Sequence, residues 1–434
     1  MSDLSERTED FALEPVPPER TVSGFRLAMV IIGFTITLPV FIAGSKIGTA
    51  LGLAAGLRAF LGGGAILGSI GAMTAYIGAQ AKVSTYVITQ FSFGRKGAHV
   101  VNAVIAIALL GWYGITVELF GRACQTAVND TLSVNIPTLL LSGVGSALMI
   151  GTSMWGFRAL NYLSTFAVPL MMGLLGTAVI ASLRLTSWKA LHEVRGESMD
   201  GGTAVSLVVG SFIVGAILLP DLCRYARRTW EAMAAAAISL GVVFPIVFYC
   251  SMVPSLATGR SDLVLIMIGL GIGVPALVLL VFATWSTNSH NLYSTSLTLA
   301  SLFSGTQKWK LTVIAGGAGT LMAAAGIMDN FVGFLLVLGT SIPPVAGIYA
   351  ADFFFLSKQN YSPSELAGRP AISAVAFIAW VGASLLGYAS QRNLIGITGI
   401  ASCDSVIGAF VIYLLAAQLA GRFGLRPSKV GGEN

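Results

Sequence analysis

The chain has 434 residues, of which 55% are hydrophobic and only 10% charged, with a net charge of +6 and a mean hydropathy of +0.82. Soluble domains carry roughly 25% charged residues, so this balance excludes a disordered chain, a nucleic-acid binder and an ordinary cytosolic enzyme. Glycine supplies 51 residues without a Gly-X-Y period, which points to close-packed transmembrane helices, some of them interrupted.

The chain opens on MSDLSERTEDFALEPVPPER, acidic and Pro-bearing with no apolar core. It is not a cleavable signal peptide and is expected to be a short disordered cytoplasmic tail over 1–24. Twelve apolar stretches come next, each able to supply the about 20 residues that cross a hydrocarbon core. They lie at 25–51, 57–81, 97–125, 136–154, 157–183, 203–226, 231–256, 272–301, 310–328, 331–355, 371–389 and 394–420. Polar breaks such as NDTLSVN, SWKALHEVRGESMDGG, TGRSD, SGTQKWK and SKQNYSPSELAGRP separate them. A basic tail over 421–434 closes the chain. An even number of spans puts both termini on one side. With the N-terminus inside, 17 of the 25 Lys and Arg residues fall on the inner side, as the positive-inside rule requires. The expected location is therefore the cytoplasmic (inner) membrane, with both termini cytoplasmic.

Four dispersed cysteines (Cys124, Cys223, Cys250, Cys403) and three dispersed histidines give neither a zinc motif nor a disulfide framework. No catalytic group, resident cofactor, nucleic-acid surface or obligate protein partner is indicated.

Two spans read as broken helices. The first, GFTITLPVFIAGSKIG, is interrupted around Pro39; the sixth, VVGSFIVGAILLPD, carries Gly210, Gly215 and Pro220. A mid-span Pro removes a backbone donor, and such breaks survive in a membrane only where protein or a cavity satisfies the freed groups. The broken spans are five apart, the spacing of inverted repeats with a binding site at the midplane. The expected units are a first repeat over 25–183, a second over 203–355 and two peripheral helices over 371–420.

Trp112 lies at mid-depth in span 3, flanked by Gly111 and Gly114. Core packing is the commoner fate of such a residue; the functional alternative is a stacking platform for a planar ligand. Phe212 at the break of span 6 supplies an opposite face, with Ser211 and Gly210 beside it. Span 8, VFATWSTNSHNLYSTS, is unusually polar, and intramembrane polar clusters are functional by default. Ser286 and Thr287, with carbonyls from the unwound part of span 1, suit an oxygen cage for Na⁺. A proton would need a titratable carrier, for which His290 is the candidate. Glu118 and Arg122 read as a local i, i+4 ion pair. Lys46 reads as a snorkelling residue. Asp221 reads as a gate or a structural pair with Arg224 and Arg228.

These residues carry a resemblance. QFSFGRKG before span 3, GWYG on span 3, VVGSF on span 6, WSTN and LY on span 8, and NFVGFL…SIPPVAGIYAADF on span 10 occur in order across nearly the whole chain. In them the chain resembles the nucleobase–cation symporter-1 family, its bacterial cytosine permeases in particular. The resemblance implies an all-α, LeuT-like fold of ten core helices in a 5+5 inverted repeat plus two peripheral helices. It also implies import of a nucleobase, cytosine first, coupled to Na⁺ or H⁺. It makes Trp112 and Phe212 the sandwiching aromatics, puts Ser211 and Gly210 at the polar edge, and puts Asn288 near the ligand; Thr116 and Ser289 complete the substrate candidates. The family's sodium pattern falls on the carbonyls of Gly33, Ile36 and Ala283 and the hydroxyls of Ser286 and Thr287.

Four positions depart from the cytosine permeases, which have Gln at Leu109, Ser at Val214, and Asp-Asn at Ser289-His290. Losing polar contacts weighs against cytosine more than against a nucleobase-like ring. A hydroxymethylpyrimidine, purine or hydantoin-like ring is thus the runner-up. An amino-acid symporter fits less well, since two aromatics would crowd a tetrahedral α-carbon. An intramembrane serine protease would have to use Ser211 and His290, without an expected nucleophile motif.

Overall fold

The computed structural model describes residues 11, 14–194, 196, 199–303, 305–330, 338 and 340–422. The expected span segment 331–337 and the C-terminal tail from 423 fall outside them. No strand occurs among the described residues; Val22 and Ala226 form one isolated parallel bridge.

The chain enters helix α1 (Gly24–Thr35) and leaves it through two extended residues, Ile36 (φ −85°, ψ 91°) and Thr37 (φ −142°, ψ 152°). The break therefore precedes Pro39, which sits in the first turn of α2 (Leu38–Ala81), where its missing N–H costs nothing. The loop expected near 52–56 is absent. Helix α2 instead turns at a single residue, Gly52 (φ 77°, ψ 175°), a conformation essentially restricted to glycine.

A short α3 (Thr85–Phe93) leads to α4 (Gly97–Leu132), α5 (Thr138–Met154) and α6 (Gly156–Leu183). After α7 (Trp188–Glu193), the sixth apolar stretch is divided three ways: α8 (Gly201–Gly210), α9 (Ile213–Ile217) and α10 (Pro220–Cys223). Ser211 and Phe212 separate the first two pieces, and Pro220 opens the third. Next come α11 (Thr229–Ile238), a π turn at Ser239–Val243, α12 (Phe244–Thr258), α13 (Leu263–Gly269), α14 (Gly273–Leu302) and α15 (Lys308–Ala324). The remainder is α16 (Pro343–Ala351), α17 (Pro363–Ala367), α18 (Ala374–Gln391) and α19 (Ala401–Arg422).

Among the described residues, six helices are long and apolar enough to cross a membrane: Leu38–Ala81, Gly97–Thr126, Gly156–Leu183, Thr229–Thr258, Ala374–Gln391 and Ala401–Ala420. The chain is a multi-pass membrane protein. The other expected stretches fall short of that criterion for visible reasons. The first and sixth are broken, α5 and α15 have 17 residues each, α14 carries its polar run, and the tenth lies partly outside the described residues.

Glycine sets how closely these helices approach. A Cβ at Gly44 would collide with the Ser251 hydroxyl, and one at Gly68 would lie 3.0 Å from the Gly241 Cα. One face of α2 therefore meets α12 and the π turn nearly backbone to backbone, as membrane helices without a hydrophobic drive require. Helices α18 and α19 pack on each other and on α16, to one side of the helices that surround the site.

The tail expected to be disordered is not so in its described part. Val16 N donates to the Lys82 carbonyl (3.1 Å), Val22 N donates to the Tyr225 carbonyl (2.7 Å) and Arg227 N donates to the Val22 carbonyl (2.9 Å). Arg224 is fully buried there, reaching the Phe11 carbonyl (2.5 Å) and the Tyr225 and Tyr293 hydroxyls (3.3 Å each). Asp221 accepts from Thr85 N (2.7 Å), so its carboxylate holds α3 to α10.

Candidate substrate and cation site

The two helix breaks face one another across a cavity of about 60 Å³. On the same measure one water needs roughly 10–15 Å³, so the space suits a small ring rather than a peptide. Its walls come from four places: Phe34, Thr37 and Pro39 at the first break; Leu109, Trp112 and Thr116 on α4; Gly210, Ser211, Phe212, Val214, Gly215 and Leu218 at and after the second break; and Thr287, His290 and Asn291 on α14.

Trp112 is partly exposed to this space, and Thr116 Oγ1 donates back to the Trp112 carbonyl (2.7 Å). That local bond occupies the hydroxyl proton and leaves the oxygen lone pairs toward the cavity. Ser211 behaves alike, donating to the Val208 carbonyl (2.7 Å). At Gly210 a Cβ would meet open space, whereas at Gly215 it would strike the Phe212 ring at 2.7 Å. Gly215 therefore lets that ring lie flat over the backbone.

Phe212 does not stand alone. Phe34 stacks on it (centroids 5.2 Å apart, 17° between planes) and on His290 from the other side (3.9 Å, 7°). The aromatic layer His290–Phe34–Phe212 thus spans three segments, and Phe34 is the member that sequence reading passed over. Its signal was its position two residues before Ile36, where the helix ends. His290, considered as a proton carrier, is buried with Nδ1 lacking a hydrogen-bond partner.

Of the expected substrate residues, the cavity brings together Trp112, Thr116, Gly210, Ser211 and Phe212. Asn288 and Ser289 do not line it. Asn288 is fully buried toward α4 and α5, its Nδ2 donating to the Tyr113 carbonyl (3.2 Å) and lying 3.5 Å from Met149 Sδ. It reaches the cavity only through Asn291, whose Nδ2 donates to Asn288 Oδ1 (3.3 Å). Ser289 turns away as well, and its carbonyl accepts from Ser153 Oγ (2.8 Å).

Of the five expected cation ligands, Gly33 and Ile36 lie at the first break, and Ser286 and Thr287 reach it from α14. A Cβ at Gly33 would meet Ser286 Oγ at 2.8 Å and Ser164 Oγ at 2.7 Å, so both hydroxyls crowd onto the Gly33 backbone. Thr287 Oγ1 lies 3.4 Å from the Phe34 carbonyl, and Ala283 is buried one turn before it. The extended Ile36–Thr37 pair ends the helical ladder, leaving the last α1 carbonyls without intrahelical N–H donors, although the Ile32 carbonyl accepts from Thr35 Oγ1 (2.8 Å). Ser164, on α6, is an oxygen that sequence reading missed. No group of three or more His, Cys, Asp or Glu residues occurs among the described residues. The available chemistry is one of neutral oxygens, which suits a hard cation.

Three ionisable residues can be placed as well. Arg122 Nη2 and Glu118 Oε1 form the expected pair at 2.5 Å. Lys46 is exposed. Arg224 Nε donates to the Asp221 backbone carbonyl oxygen (3.0 Å).

Residues 15–417 match the family of permeases for cytosine/purines, uracil, thiamine and allantoin. The chain belongs to this family. It is 30% identical over 417 residues to the cytosine permease of Escherichia coli K12, covering 95% of each chain. It is 24% identical over 394 residues to the hydantoin permease of Microbacterium maritypicum, covering 80% of this chain and 76% of that one. In fold it is similar to Mhp1, a nucleobase-cation-symport-1 family transporter, in a closed conformation with bromovinylhydantoin bound. There the TM-score is 0.83 at 20% identity, over 97% of this chain and 98% of that one. These relatives are permeases, and the chain is a transporter of the nucleobase type rather than an enzyme.

Proposed function

We propose that the chain imports a nucleobase, cytosine first, by cation symport with alternating access, and that the cation is Na⁺. The observation that carries this reading is the cavity itself. An indole and an aromatic layer face a space of ring size, with two interrupted helices supplying polar backbone. A planar heterocycle satisfies both at once: its faces stack and its edge bonds groups the helices leave unpaired. In this reading Trp112 and Phe212 stack on the ring, Gly210, Ser211 and Thr116 meet its edge, and Asn288 acts through Asn291. The Gly33, Ile36 and Ala283 carbonyls and the Ser286 and Thr287 hydroxyls hold Na⁺ beside α1. Binding of the ion would fix the angle of α1 and with it Phe34, which couples the cation to the ring.

The reading includes twelve membrane crossings, arranged as a 5+5 inverted repeat with two peripheral helices, in the cytoplasmic membrane with both termini inside. The cationic bias and the five-span spacing of the breaks support it.

A second substrate reading has its own observation. Leu109 and Val214, where cytosine permeases have polar residues, both line the cavity. An apolar wall at those points favours a ring with fewer edge contacts, such as a hydantoin, a purine or a hydroxymethylpyrimidine. One measurement separates these: thermal stabilisation of purified protein across a panel of such rings, with and without Na⁺. Cytosine in Na⁺ is expected to stabilise most, and Thr287→Ala to remove the Na⁺ enhancement while leaving expression intact. If no ring stabilises the protein, the sandwich reading fails. If stabilisation ignores Na⁺ but falls as pH rises, the cation is a proton.

A further inference from the structure

Beyond the cation site beside α1, three contacts fix how α14 lies against α6 and the α5–α6 turn. Phe282 meets Phe166 (centroids 5.7 Å), Ser286 and Ser164 converge on Gly33, and the Ser289 carbonyl accepts from Ser153 just before α6 begins. As numbers rise on α14 they fall on α6, so the helices run antiparallel. Carried one turn past Ser164 and Ser286, this register sets Asn161 opposite Ser289, because residues three apart share a helix face.

Both of those side chains hold an oxygen that nothing satisfies. Asn161 Oδ1 and Ser289 Oγ have no hydrogen-bond partner, at 8% and 0% exposure respectively. A buried unpaired polar group is costly, and each such group in a packed core calls for a reason. By this register the two oxygens lie on the facing sides of neighbouring helices, one turn or about 5 Å along from a pair of hydroxyls, and together they supply a set of neutral hard donors.

We infer that Asn161 Oδ1 and Ser289 Oγ, with Ser164 Oγ and Ser286 Oγ on the adjoining turn, form a second Na⁺ site in series with the first. It lies toward the α5–α6 turn, the cytoplasmic side in the topology proposed above. Ser164 and Ser286 adjoin both positions, so an ion can pass between them without losing all of its oxygens. Two Na⁺ ions about a helical turn apart repel in a medium of low dielectric, so the sites fill in turn rather than together. The second site gives the ion leaving the first a place to stop on its inward route. This inference rests on the Na⁺-coupling reading above.

The test uses purified full-length protein and reads the unfolding midpoint against NaCl, with choline chloride holding ionic strength constant. Wild-type protein is expected to show a Na⁺-specific rise. Thr287→Ala disables the first site and should keep a smaller rise, with half-saturation at about tenfold higher Na⁺ or more. Adding Asn161→Leu or, independently, Ser289→Ala to Thr287→Ala should abolish the remainder; the second variant serves if the first does not fold. If Thr287→Ala alone removes every Na⁺-specific effect, only the first site exists and the inference fails while Na⁺ coupling stands. If the double variants respond as Thr287→Ala does, the two oxygens belong to a buried water and the inference fails equally. A wild-type protein indifferent to Na⁺ removes both the inference and the coupling reading.

Discussion

Trp112 is the side chain on which the ring reading depends most. It faces the cavity from α4, while the opposing layer is braced by Phe34 and His290. Stacking of a base on an aromatic contributes roughly 1–3 kcal/mol, so Trp112→Ala should weaken ring binding by about 5- to 150-fold. Titration calorimetry with the best-stabilising ring measures this, and Trp112→Phe should recover part of the loss. An unchanged affinity would mean that the ring sits elsewhere. At this scale the sequence was informative about residue types and less so about direction. Trp112, Ser211 and Phe212 stood out because a break and a mid-depth aromatic are unusual in a membrane helix. The polar run from Ser286 to Asn291 offered several neighbours at 100° steps, and only the packing of α14 on α4 and α5 decides which face the cavity. That packing turns Thr287, His290 and Asn291 inward and Asn288 toward Tyr113. Phe34 escaped notice because an aromatic in an apolar helix has no local mark; its role comes from Phe212, far away in sequence.

Among the elements, α2 shows how a local sequence rule and a tertiary demand meet at one residue. The chain reverses from the first apolar stretch into the second through Gly52 alone, with no loop to absorb the turn. A side chain at φ 77°, ψ 175° costs about 1–3 kcal/mol, so Gly52→Ala should lower the unfolding midpoint clearly. Gly62→Ala, on the same helix, is the control, since its Cβ would meet only Val205 Cγ2 at 3.6 Å. There the exchange should be neutral or stabilising, because alanine is the better helix former. Equal midpoints for the two variants would show that the turn is not held by the glycine backbone. Periodicity and composition marked these helices and both interruptions well. They could not locate the ends, because the first break is set by the extended pair Ile36–Thr37 and the proline merely opens α2. Nor does hydropathy alone recover α14, whose polar residues are buried against neighbouring helices rather than turned to lipid.

At the scale of the whole molecule, one end of the bundle carries a contact no span-by-span reading contains. The segment before α1 crosses that end. It joins Val16 to Lys82 and Val22 to Tyr225 and Arg227, and the Phe11 carbonyl caps the buried guanidinium of Arg224. An arginine without solvent is tolerable only while its donors are met, and removing the Phe11 carbonyl takes away one of the acceptors that hold the guanidinium in place. Under the alternating access proposed above, this end opens in some part of the cycle, and the strap would then bias the equilibrium toward closure by its differential contacts in the closed state. Deleting residues 1–17 keeps Val22 on Ala226 but removes the Phe11 and Val16 contacts. Cys223, next to Arg224 and fully buried, reports the change. In a protein whose Cys124, Cys250 and Cys403 are serine, maleimide should label Cys223 slowly in the full-length chain and about tenfold faster or more after truncation. A tenfold change corresponds to a shift of ~1.4 kcal/mol in the closing equilibrium. Arg224→Gln in the full-length chain should not reproduce the effect of truncation, since an uncharged amide can stay buried against the same carbonyl. Its labelling should stay slow, and truncation in that background should accelerate it less. Identical rates in the truncated and full-length proteins would mean that the helices alone hold this end shut and the strap merely lies across it.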